Sequence, residues 1–565
     1  MPNRNLPLFE VIPENKRYFE RSSKKSVFVI EKNNWNDYWF FTAYTLYHSA
    51  ISSSSDKDQL IGHLKILKRG QSKNQFDLLK EGVMEYLDED FCSMGADLDY
   101  YQRLSDLEPT IRKKVLNALN DVVNNVEIRN TFEAEDGFKV SLLRGRNLDD
   151  DIFDLGKIII ERNYKALFDM HLKLSFDMPG LTHSIEFDFS NPTVGYQSIL
   201  PERIGVLIGR NGSGKSTILS RLSRIASSMP QDRIDQTLQD TIGTISPEGV
   251  GFPRVIFLSY SPFDSFNTPG LTLDHKKRII NEMKHGLGSY MFCGTRNIVK
   301  ELESSFEQIA SRAHSSGRLA DEDIISDRIE KTILKSNQEL AQEFSRNIQM
   351  ISQTRNAELI QPVIEILRQE QTLNHLLAEK YSNNTATELE HFFNQLSTGH
   401  KFVIHAMSSI ISTIAPRSLL LFDEPETHLH PPMLAVLMKA IRYTLDRTNS
   451  TMIVATHSPV VLQETISRQV LVVRREGKSI KASPPKLETF GENVGILTQT
   501  AFGLSTDISQ YHDVLDEMIG QYFFIPPGKT SLSEVLAFVE KHFDKGLSMQ
   551  ARSYVMSQIA NKLND

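Results

Sequence analysis

Residues 204–222 read Ile-Gly-Val-Leu-Ile-Gly-Arg-Asn-Gly-Ser-Gly-Lys-Ser-Thr-Ile-Leu-Ser-Arg-Leu and contain the pattern G-x-x-x-x-G-K-[ST]. The apolar run before Gly209 predicts a buried strand, and the apolar spacing after Ser216 predicts a helix with one buried face. Between these elements, glycines let the backbone curl closely, so that successive N–H groups and a helix N-terminus form a cradle for an anion. The stretch therefore predicts a phosphate-binding loop.

The chemistry of a nucleotide assigns roles within this loop. The Lys215 ammonium would reach the β- and γ-phosphates, and the Ser216 hydroxyl would be a ligand of Mg²⁺. ATP and Mg²⁺ are thus the expected cofactors. We expect ATP to contact nine consecutive residues: Gly209, Arg210, Asn211, Gly212, Ser213, Gly214, Lys215, Ser216 and Thr217.

The composition limits the class of protein. A chain of 565 residues predicts about three to four domains. The formal net charge is −8, so binding to nucleic acid would need a local basic patch. Cys92 and Cys293 are the two cysteines, too few for a zinc site or a disulfide scaffold. The N-terminus has no apolar signal core and no apolar run is long enough to span a membrane, so we expect a cytoplasmic protein with no membrane contact.

Pattern changes along the chain divide it into five segments. Residues 26–67 predict an antiparallel meander with a strand from Trp39 to Tyr47, and residues 108–125 predict a helix. The aromatic residues of the meander form either a core, which we favour, or a platform for stacked bases. The segments are an N-terminal accessory α/β domain (1–165), a first part of a nucleotide-binding lobe (166–266), a helical insertion (267–390), a second part of that lobe (391–505) and a C-terminal helical segment (506–565).

The insertion at 267–390 is polar, nearly free of strand signals and periodic at helical spacing. It could form a coiled-coil arm or a compact lobe. No heptad pattern persists for three or four repeats, which favours the compact lobe. Two apolar stripes carry the helical period: Leu340, Phe344, Ile348 and Ile351, then Ile360, Val363, Ile364 and Leu367.

Polar residues follow three further predicted strands. Residues 254–258 end at Ser259, residues 418–422 end at Asp423-Glu424, and residues 451–455 end at Thr456-His457. This is the pattern of an open α/β sheet that binds its ligand at the carboxyl ends of the strands.

These motifs together resemble the ABC-type ATPases, and the fold that this implies is an α/β P-loop core. Glu424 would then orient and deprotonate the attacking water, and His457 would contact the γ-phosphate. Asp423 would hold Mg²⁺ through water, whereas Ser397 and Gly399 would contact the ATP of the opposite protomer. The resemblance rests on four stretches in the family's order: Gly209–Ser216, Leu396–His400, Leu419–Glu424 and His457.

Within that superfamily, residues 423–431 and 456–459 resemble the RecF/SMC/OLD branch, whereas residues 490–495 and 501–504 further resemble PtuA, the ATPase of Septu anti-phage systems and Septu-like retrons. The PtuA resemblance implies a homodimer or higher homo-oligomer, a separate HNH nuclease partner and a nucleic acid as target. In retrons it also implies a reverse transcriptase with its RNA or DNA product.

Two other functions stay open. One is a RecF/SMC-like ATPase that repairs or clamps DNA. The other, less favoured, is a self-contained OLD-type nuclease, because no Asp-x-Asp pair follows His457 and the three-residue spacing of Asp513 and Asp516 is typical of a solvated helix face.

The chain departs from the family pattern in two places. Thr398 and His400 stand where the signature usually has Gly and Gln, and Ser259 and Ser261 follow the strand where a glutamine is common. We therefore expect hydrolysis that is slow or depends on a partner.

Overall fold

The computed structural model describes residues 7–14, 26–33, 39–49, 59–76, 78–143, 151–163, 172–189, 200–228, 233, 235–247, 250–284, 288–315, 317–352, 354, 356–377, 385–502, 510–524 and 531–564. They belong to two compact units, residues 1–492 and 493–565. The expected boundaries at 165/166 and 505/506, and Gly503 and Leu504 of the PtuA-like stretch, lie outside these ranges. Within them, no helix combines the length and the apolar character that a membrane span requires.

The strands run in chain order as β1 (Phe9–Ile12), β2 (Phe28–Lys32), β3 (Ala43–His48), β4 (Gln59–Lys68), β5 (Gly82–Met84), β6 (Phe91–Gly95), β7 (Lys173–Asp177), β8 (Ile185–Asp188), β9 (Ile204–Ile208), β10 (Thr244–Ser246), β11 (Val255–Ser259), β12 (Tyr290–Gly294), β13 (Leu419–Asp423), β14 (Thr451–Thr456), β15 (Val470–Glu476) and β16 (Ser479–Ser483).

The α-helices are α1 (Leu98–Asp106), α2 (Pro109–Ala118), α3 (Val126–Phe132), α4 (Asp151–Glu161), α5 (Lys215–Ala226), α6 (Gln236–Thr241), α7 (Leu273–Lys284), α8 (Ile298–Arg312), α9 (Asp321–Ile325), α10 (Asn337–Ser352), α11 (Ala357–Leu367), α12 (Gln371–Leu376), α13 (Ala386–Gln395), α14 (Thr398–Thr413), α15 (Pro431–Thr448), α16 (Pro459–Gln463), α17 (Val494–Phe502), α18 (Gln510–Phe524), α19 (Leu532–Glu540) and α20 (Met549–Asn564).

The N-terminal module contains a six-stranded sheet in the order β5-β1-β2-β3-β4-β6. The antiparallel pairing of β2, β3 and β4 confirms the predicted meander, but β1 joins β2 in parallel, so the meander is part of a larger mixed sheet. The prediction that the second strand starts at Trp39 is wrong: β3 begins at Ala43, and Trp39 has a φ of 75°, which no strand residue adopts. Phe40 and Tyr44 are buried, which favours a core role for this aromatic cluster.

The predicted helix at 108–125 is too long. Helix α2 ends at Ala118, and Asn120 then takes a left-handed φ of 50°. The Asp121 carboxylate accepts hydrogen bonds from the N–H groups of Val123 and Asn124, so a side chain replaces the helical carbonyls as the partner of the backbone here.

A second sheet of seven strands has the order β12-β11-β13-β14-β9-β15-β16. The strands from β12 to β15 pair in parallel, and β16 is antiparallel to β15 at the edge. The predicted α/β class is confirmed. The four strands that precede polar loops, β9, β11, β13 and β14, therefore end at one edge of the sheet. Strand β14 lies between β9 and β13, so the phosphate loop and Asp423 flank it.

Strand β12 corrects the prediction for residues 267–390, which were expected to be nearly free of strands. Its five residues are buried and pair in parallel with β11. The apolar run is short and its neighbours are polar, so helical periodicity dominated the sequence signal. The hydrogen-bonding edge of β11, distant in sequence, makes it a strand.

The helices of this segment pack against helices that follow it in the chain. The longest, α10, has 16 residues and contacts both α13 and the helix α14 that follows the signature. The rings of Phe344 and Phe393 stack with centroids 5.2 Å apart, and Asn347 donates a hydrogen bond of 3.1 Å to Ser409. Side chains from three helices thus pack together, which favours the compact lobe over an arm of two helices.

The C-terminal unit, residues 493–565, has its own small apolar core, which includes Leu515, Ile519, Val539 and Ile559. Within this unit, Asp513 is exposed and Asp516 accepts a hydrogen bond of 2.7 Å from the Tyr554 hydroxyl. The Asp516 contact is structural in kind, as a bond between two packed helices.

Candidate nucleotide site

The phosphate loop joins β9 to α5, and its glycines explain its shape. Gly212 and Gly214 have φ values of 76° and 104°, which side chains with a Cβ rarely adopt. A Cβ on Gly209 would lie 2.2 Å from the carbonyl oxygen of Val473, so the loop can pass β15 only without a side chain there. Gly214 offers no side-chain cap to α5, which leaves the first N–H groups of that helix available to an anion.

Lys215 brings a positive charge into this loop. Its side chain is 4% exposed, and its Nζ donates hydrogen bonds to the carbonyl oxygens of Gly209 (2.9 Å) and Arg210 (3.3 Å). Burial lowers the pKa of Lys215, and the carboxylates of Glu424, Asp423 and Glu426 oppose this shift. The ammonium therefore lies among carboxylates in a poorly hydrated site, where its attraction for phosphate is strong.

Ser216 and Asp423 meet across β14. The Ser216 hydroxyl donates a hydrogen bond of 2.9 Å to Oδ1 of Asp423 at the end of β13. Burial raises the pKa of Asp423 to about 8, with Glu424 and Asp264 adding to the shift and the Ser216 hydrogen bond opposing it. A hydroxyl and a carboxylate, adjacent and with poorly compensated negative charge, are oxygen donors that suit Mg²⁺. The two predicted metal ligands thus fit this cation.

Glu424 follows at the turn after β13 in a strained conformation. Its φ is 49°, and its N–H donates a hydrogen bond of 2.8 Å to Ala455 of β14. This bond holds the turn against β14, and the Glu424 side chain is about one-third exposed. Nδ1 of His457 lies 3.9 Å from Oε1 of Glu424, so the two predicted catalytic side chains lie together.

Glu426 is a site residue that sequence reasoning missed. Its Oε1 accepts a hydrogen bond of 2.7 Å from the His457 N–H and lies 3.1 Å from the ring Nδ1. One carboxylate therefore holds both the backbone and the ring of His457. Its position two residues after Glu424, within the motif at 423–431, was the sequence feature that could have identified it.

Asp264 is a second missed residue. It lies in the loop after β11, and its side chain is buried 3.5 Å from the guanidinium of Arg296. Ser259, at the end of β11, pairs with Asp423 in the sheet register, and Ser261 accepts a hydrogen bond from the Phe263 N–H in a turn. This loop therefore adds a buried carboxylate, that of Asp264, to the two serines that the sequence indicated.

The other loop residues differ in exposure. Arg210, Asn211 and Gly212 are exposed, Thr217 is half-buried, and Ser213 is buried.

The signature residues contact a different part of the chain. Ser397 is the N-cap of α14, and Gly399 lies so close to the loop after β13 that a Cβ would be 3.1 Å from the carbonyl oxygen of His428. Among the contacts between described residues, none joins Ser397 or Gly399 to Lys215, Ser216 or Asp423. The structure thus groups the phosphate loop with Asp423, Glu424 and His457, and packs Gly399 of the signature against His428 in the loop after β13.

The clamp on His457 generates a first prediction. Glu426→Gln should lower kcat about 10- to 100-fold, because partners that orient a working side chain typically contribute this much. The dissociation constant for ATP should change less than about twofold, since Lys215 and Ser216 are untouched. Glu464→Gln, on an exposed glutamate beyond α16, is the matched control. An unchanged kcat in Glu426→Gln would show that the clamp has no part in turnover.

The raised pKa of Asp423 generates a second prediction. A carboxyl group with a pKa of about 8 gains its charge as the pH rises through that value, and only the charged form holds a cation. Mg²⁺ should therefore strengthen ATP binding more at about pH 9 than at about pH 6, by roughly tenfold per unit at most. Titrations with Asp423→Asn, which should lose this difference, correct for the protonation of ATP itself. An equal effect of Mg²⁺ at both pH values would contradict the assignment.

Comparison with known proteins agrees with this geometry. Residues 204–463 match the family model described as AAA domain, putative AbiEii toxin, Type IV TA system. Protein ea59 of Escherichia phage lambda is 27% identical over 564 residues, which cover 98% of this chain and 98% of that protein.

Two solved structures are similar over part of the chain. The SMC head domain from Thermotoga maritima is 11% identical, covers 56% of this chain and 99% of that chain, and has a TM-score of 0.23. A metal-chelate type ABC transporter in an inward-facing conformation is 14% identical, covers 55% of this chain and 84% of that chain, and has a TM-score of 0.22. The matched segment runs from β9 to α16 and contains the whole phosphate-loop cluster, so residues 204–463 are similar to an AAA domain and carry their phosphate loop on an α/β fold.

Proposed function

We propose that this chain binds and hydrolyses ATP as the regulatory subunit of a cytoplasmic anti-phage defence complex, and that ATP-dependent dimerisation controls a separate HNH-type nuclease. One observation carries the ATPase part: Lys215, Ser216, Asp423, Glu424 and His457 converge at one edge of the sheet. A cation, two oxygen ligands, a carboxylate and an imidazole are the groups that phosphoryl transfer to water requires.

The exposed N-terminus of the signature helix supports a dimer. Ser397 is exposed at the N-terminus of a 16-residue helix, a position that favours an anion. The described contacts of its own chain place no phosphate-loop residue beside it. The ATP bound to a second copy could contact Ser397. Two ATP molecules would then lie between two subunits, and hydrolysis of ATP would let the subunits separate.

Each residue of the cluster has a separate task in this proposal. Bound Mg²⁺ would neutralise phosphate charge, held through Ser216 and Asp423. Lys215 would hold the β- and γ-phosphates, and Glu424 would take the proton of the attacking water. His457, aligned by Glu426, would contact the γ-phosphate. Hydrolysis is expected to be slow or to depend on a partner, because the signature and the loop after β11 depart from the usual residues.

The defence role is supported by three independent facts. The chain resembles PtuA in residues 490–495, and the matched family description names a putative toxin of a type IV toxin–antitoxin system. A phage genome carries a relative that aligns with nearly the whole chain. These facts favour a conflict between phages and their hosts over DNA repair. A nucleic acid would then be the target of the partner nuclease, with a reverse transcriptase and its product as further components in a retron.

A mixing experiment tests the dimer. Ser397→Arg should abolish hydrolysis while a single protomer still binds ATP, and Lys215→Ala should lose ATP binding. In a mixed dimer one composite site has both defects and the other has neither, so some activity should return, up to about a quarter of the wild-type rate when the two variants exchange freely in equal amounts. A wild-type rate for Ser397→Arg, or no recovery despite proven subunit exchange, would rule out the proposed arrangement.

Purification from the native operon tests the complex. An HNH protein should co-purify with the tagged chain, and Glu424→Gln should retain it while hydrolysing ATP at least about 100-fold more slowly, since an amide cannot accept the proton. The chain alone should cut neither DNA nor RNA with Mg²⁺ or Mn²⁺. Cutting by the purified chain would favour the OLD-type nuclease. ATP-dependent DNA retention without any nuclease partner would favour the RecF/SMC-like clamp.

A further inference from the structure

A chain of hydrogen bonds ends at the signature serine. Oγ of Ser397 lies 2.8 Å from Nδ1 of His400, and Nε2 of His400 lies 2.8 Å from Oγ1 of Thr372. The Thr372 hydroxyl in turn donates a hydrogen bond to Oε2 of Glu370. Residues from the start of α12 and the start of α14 are thereby joined, and the histidine stands where the family usually has a glutamine.

Glu370, at one end of this series of hydrogen bonds, determines which atom donates and which accepts in each bond. Glu370 is 8% exposed, and its carboxylate accepts hydrogen bonds from the N–H groups of Thr372 and Leu373, both 2.9 Å long. Burial alone would raise the pKa of Glu370, but the hydrogen bonds from Thr372 and Leu373 hold it below its usual range. An ionised carboxylate only accepts, so the Thr372 hydroxyl proton belongs to Glu370.

The tautomer of His400 is then determined. Because the Thr372 hydroxyl donates its proton to Glu370, the Thr372 oxygen can only accept a hydrogen bond from Nε2–H of His400. A neutral imidazole carries one proton, so Nδ1 must be the acceptor, and the hydroxyl proton of Ser397 points at it. In this state, Ser397 has no proton left to offer.

Phosphate oxygens are acceptors, so this state is the wrong one for the proposed contact with the ATP of a second copy. Protonation of His400 reverses the bond. Nδ1–H then donates to Oγ of Ser397, the hydroxyl proton is free to turn toward a phosphate oxygen, and a positive charge appears beside it. The same proton therefore improves both the hydrogen bonding and the electrostatics of the signature.

We propose that His400 is a positioning residue. Its protonation frees the Ser397 hydroxyl to donate a hydrogen bond to the γ-phosphate of the ATP bound to the second subunit. The proposal rests on the proposed function, because it needs that phosphate to arrive at the signature. It adds a dependence on pH that a signature with glutamine at position 400 would lack. A glutamine at position 400 would offer an amide donor to Ser397 at every pH, whereas His400, with its Nε2–H bound to Thr372, offers an N–H to Ser397 only when it carries two protons.

The surroundings of His400 set the direction of the pH effect. Burial of the ring lowers the pKa of His400, Glu370 at the start of α12 opposes this, and His430 at the start of α15 adds to it. Neutral His400 therefore predominates already within the ordinary titration range of histidine, so in the free subunit the Ser397 hydroxyl proton is held by Nδ1 of His400. An approaching phosphate anion raises the pKa again, so proton uptake and dimer closure assist each other. This coupling provides one physical reason for slow hydrolysis.

The test compares pH profiles of the full chain. ATP hydrolysis is measured from about pH 6 to pH 9 for the wild type and for His400→Gln, and the ratio of the two rates is taken at each pH. Other titrations, that of Asp423 included, cancel in this ratio. The wild-type rate relative to His400→Gln should fall toward higher pH, by up to about tenfold per unit for one required proton. His375→Gln, an exposed histidine on α12 outside the chain of bonds, should retain the wild-type profile.

A second variant keeps the test informative if His400→Gln folds poorly. Thr372→Val removes the oxygen that fixes the tautomer, so neutral His400 can place its proton on Nδ1 and free the Ser397 hydroxyl. Its rate should exceed that of the wild type at high pH and match it at low pH. A flat ratio for His400→Gln together with a wild-type profile for Thr372→Val would overturn the proposal.

The outcome for Ser397→Arg separates this inference from the proposed function. If Ser397→Arg abolishes hydrolysis but neither His400→Gln nor Thr372→Val changes the pH profile, the dimer stands and His400 is only a structural cap. If Ser397→Arg hydrolyses ATP at the wild-type rate, the dimer itself fails.

Discussion

The hydrogen bond from Ser216 to Asp423 joins two residues that are 207 positions apart in the chain. It forms because β9, β14 and β13 run in parallel in one sheet, which brings the start of α5 and the end of β13 to the same edge. The position of every other group of the site depends on this arrangement. Glu424 is held by β14, His457 follows β14, and the pairing of β11 with β13 brings Ser259 alongside Asp423.

Placing so many carboxylates at one edge creates an electrostatic constraint. Asp423, Glu424 and Glu426 surround one ammonium, that of Lys215, and Asp264 adds a further buried negative charge. Two features reduce the repulsion between these carboxylates. Burial raises the pKa of Asp423 to about 8, so this group is neutral over much of the pH range, and the buried guanidinium of Arg296 lies beside Asp264. A divalent cation would relieve the same repulsion, so the arrangement that costs stability also favours the metal and its nucleotide.

Helix α14 connects this edge with the rest of the first unit. Its N-terminus carries Ser397 and His400, and its middle binds the helical lobe through Ser409. At its C-terminal end, the carbonyl of Thr413 accepts a hydrogen bond of 2.6 Å from Arg254, which also lies 3.3 Å from Asp99 of the N-terminal module. The helical lobe therefore contacts the helix that presents the signature directly, whereas the accessory module is linked to that helix through Arg254.

The local sequence pattern was sufficient to predict those features that depend on residues close together in the sequence. The glycines of the phosphate loop, the apolar strands and the order of the motifs predicted the α/β core and its phosphate loop, because these follow from backbone freedom and periodicity. Local pattern was insufficient where distant residues decide. Residues 290–294 are a strand only because β11 offers them a partner, the helix predicted at 108–125 stops because Asp121 captures the backbone, and Glu426 becomes a site residue only when β14 brings His457 beside it. Spacing in the sequence carries no information on which carboxylate ends up beside which ring, and the sheet order alone supplies it.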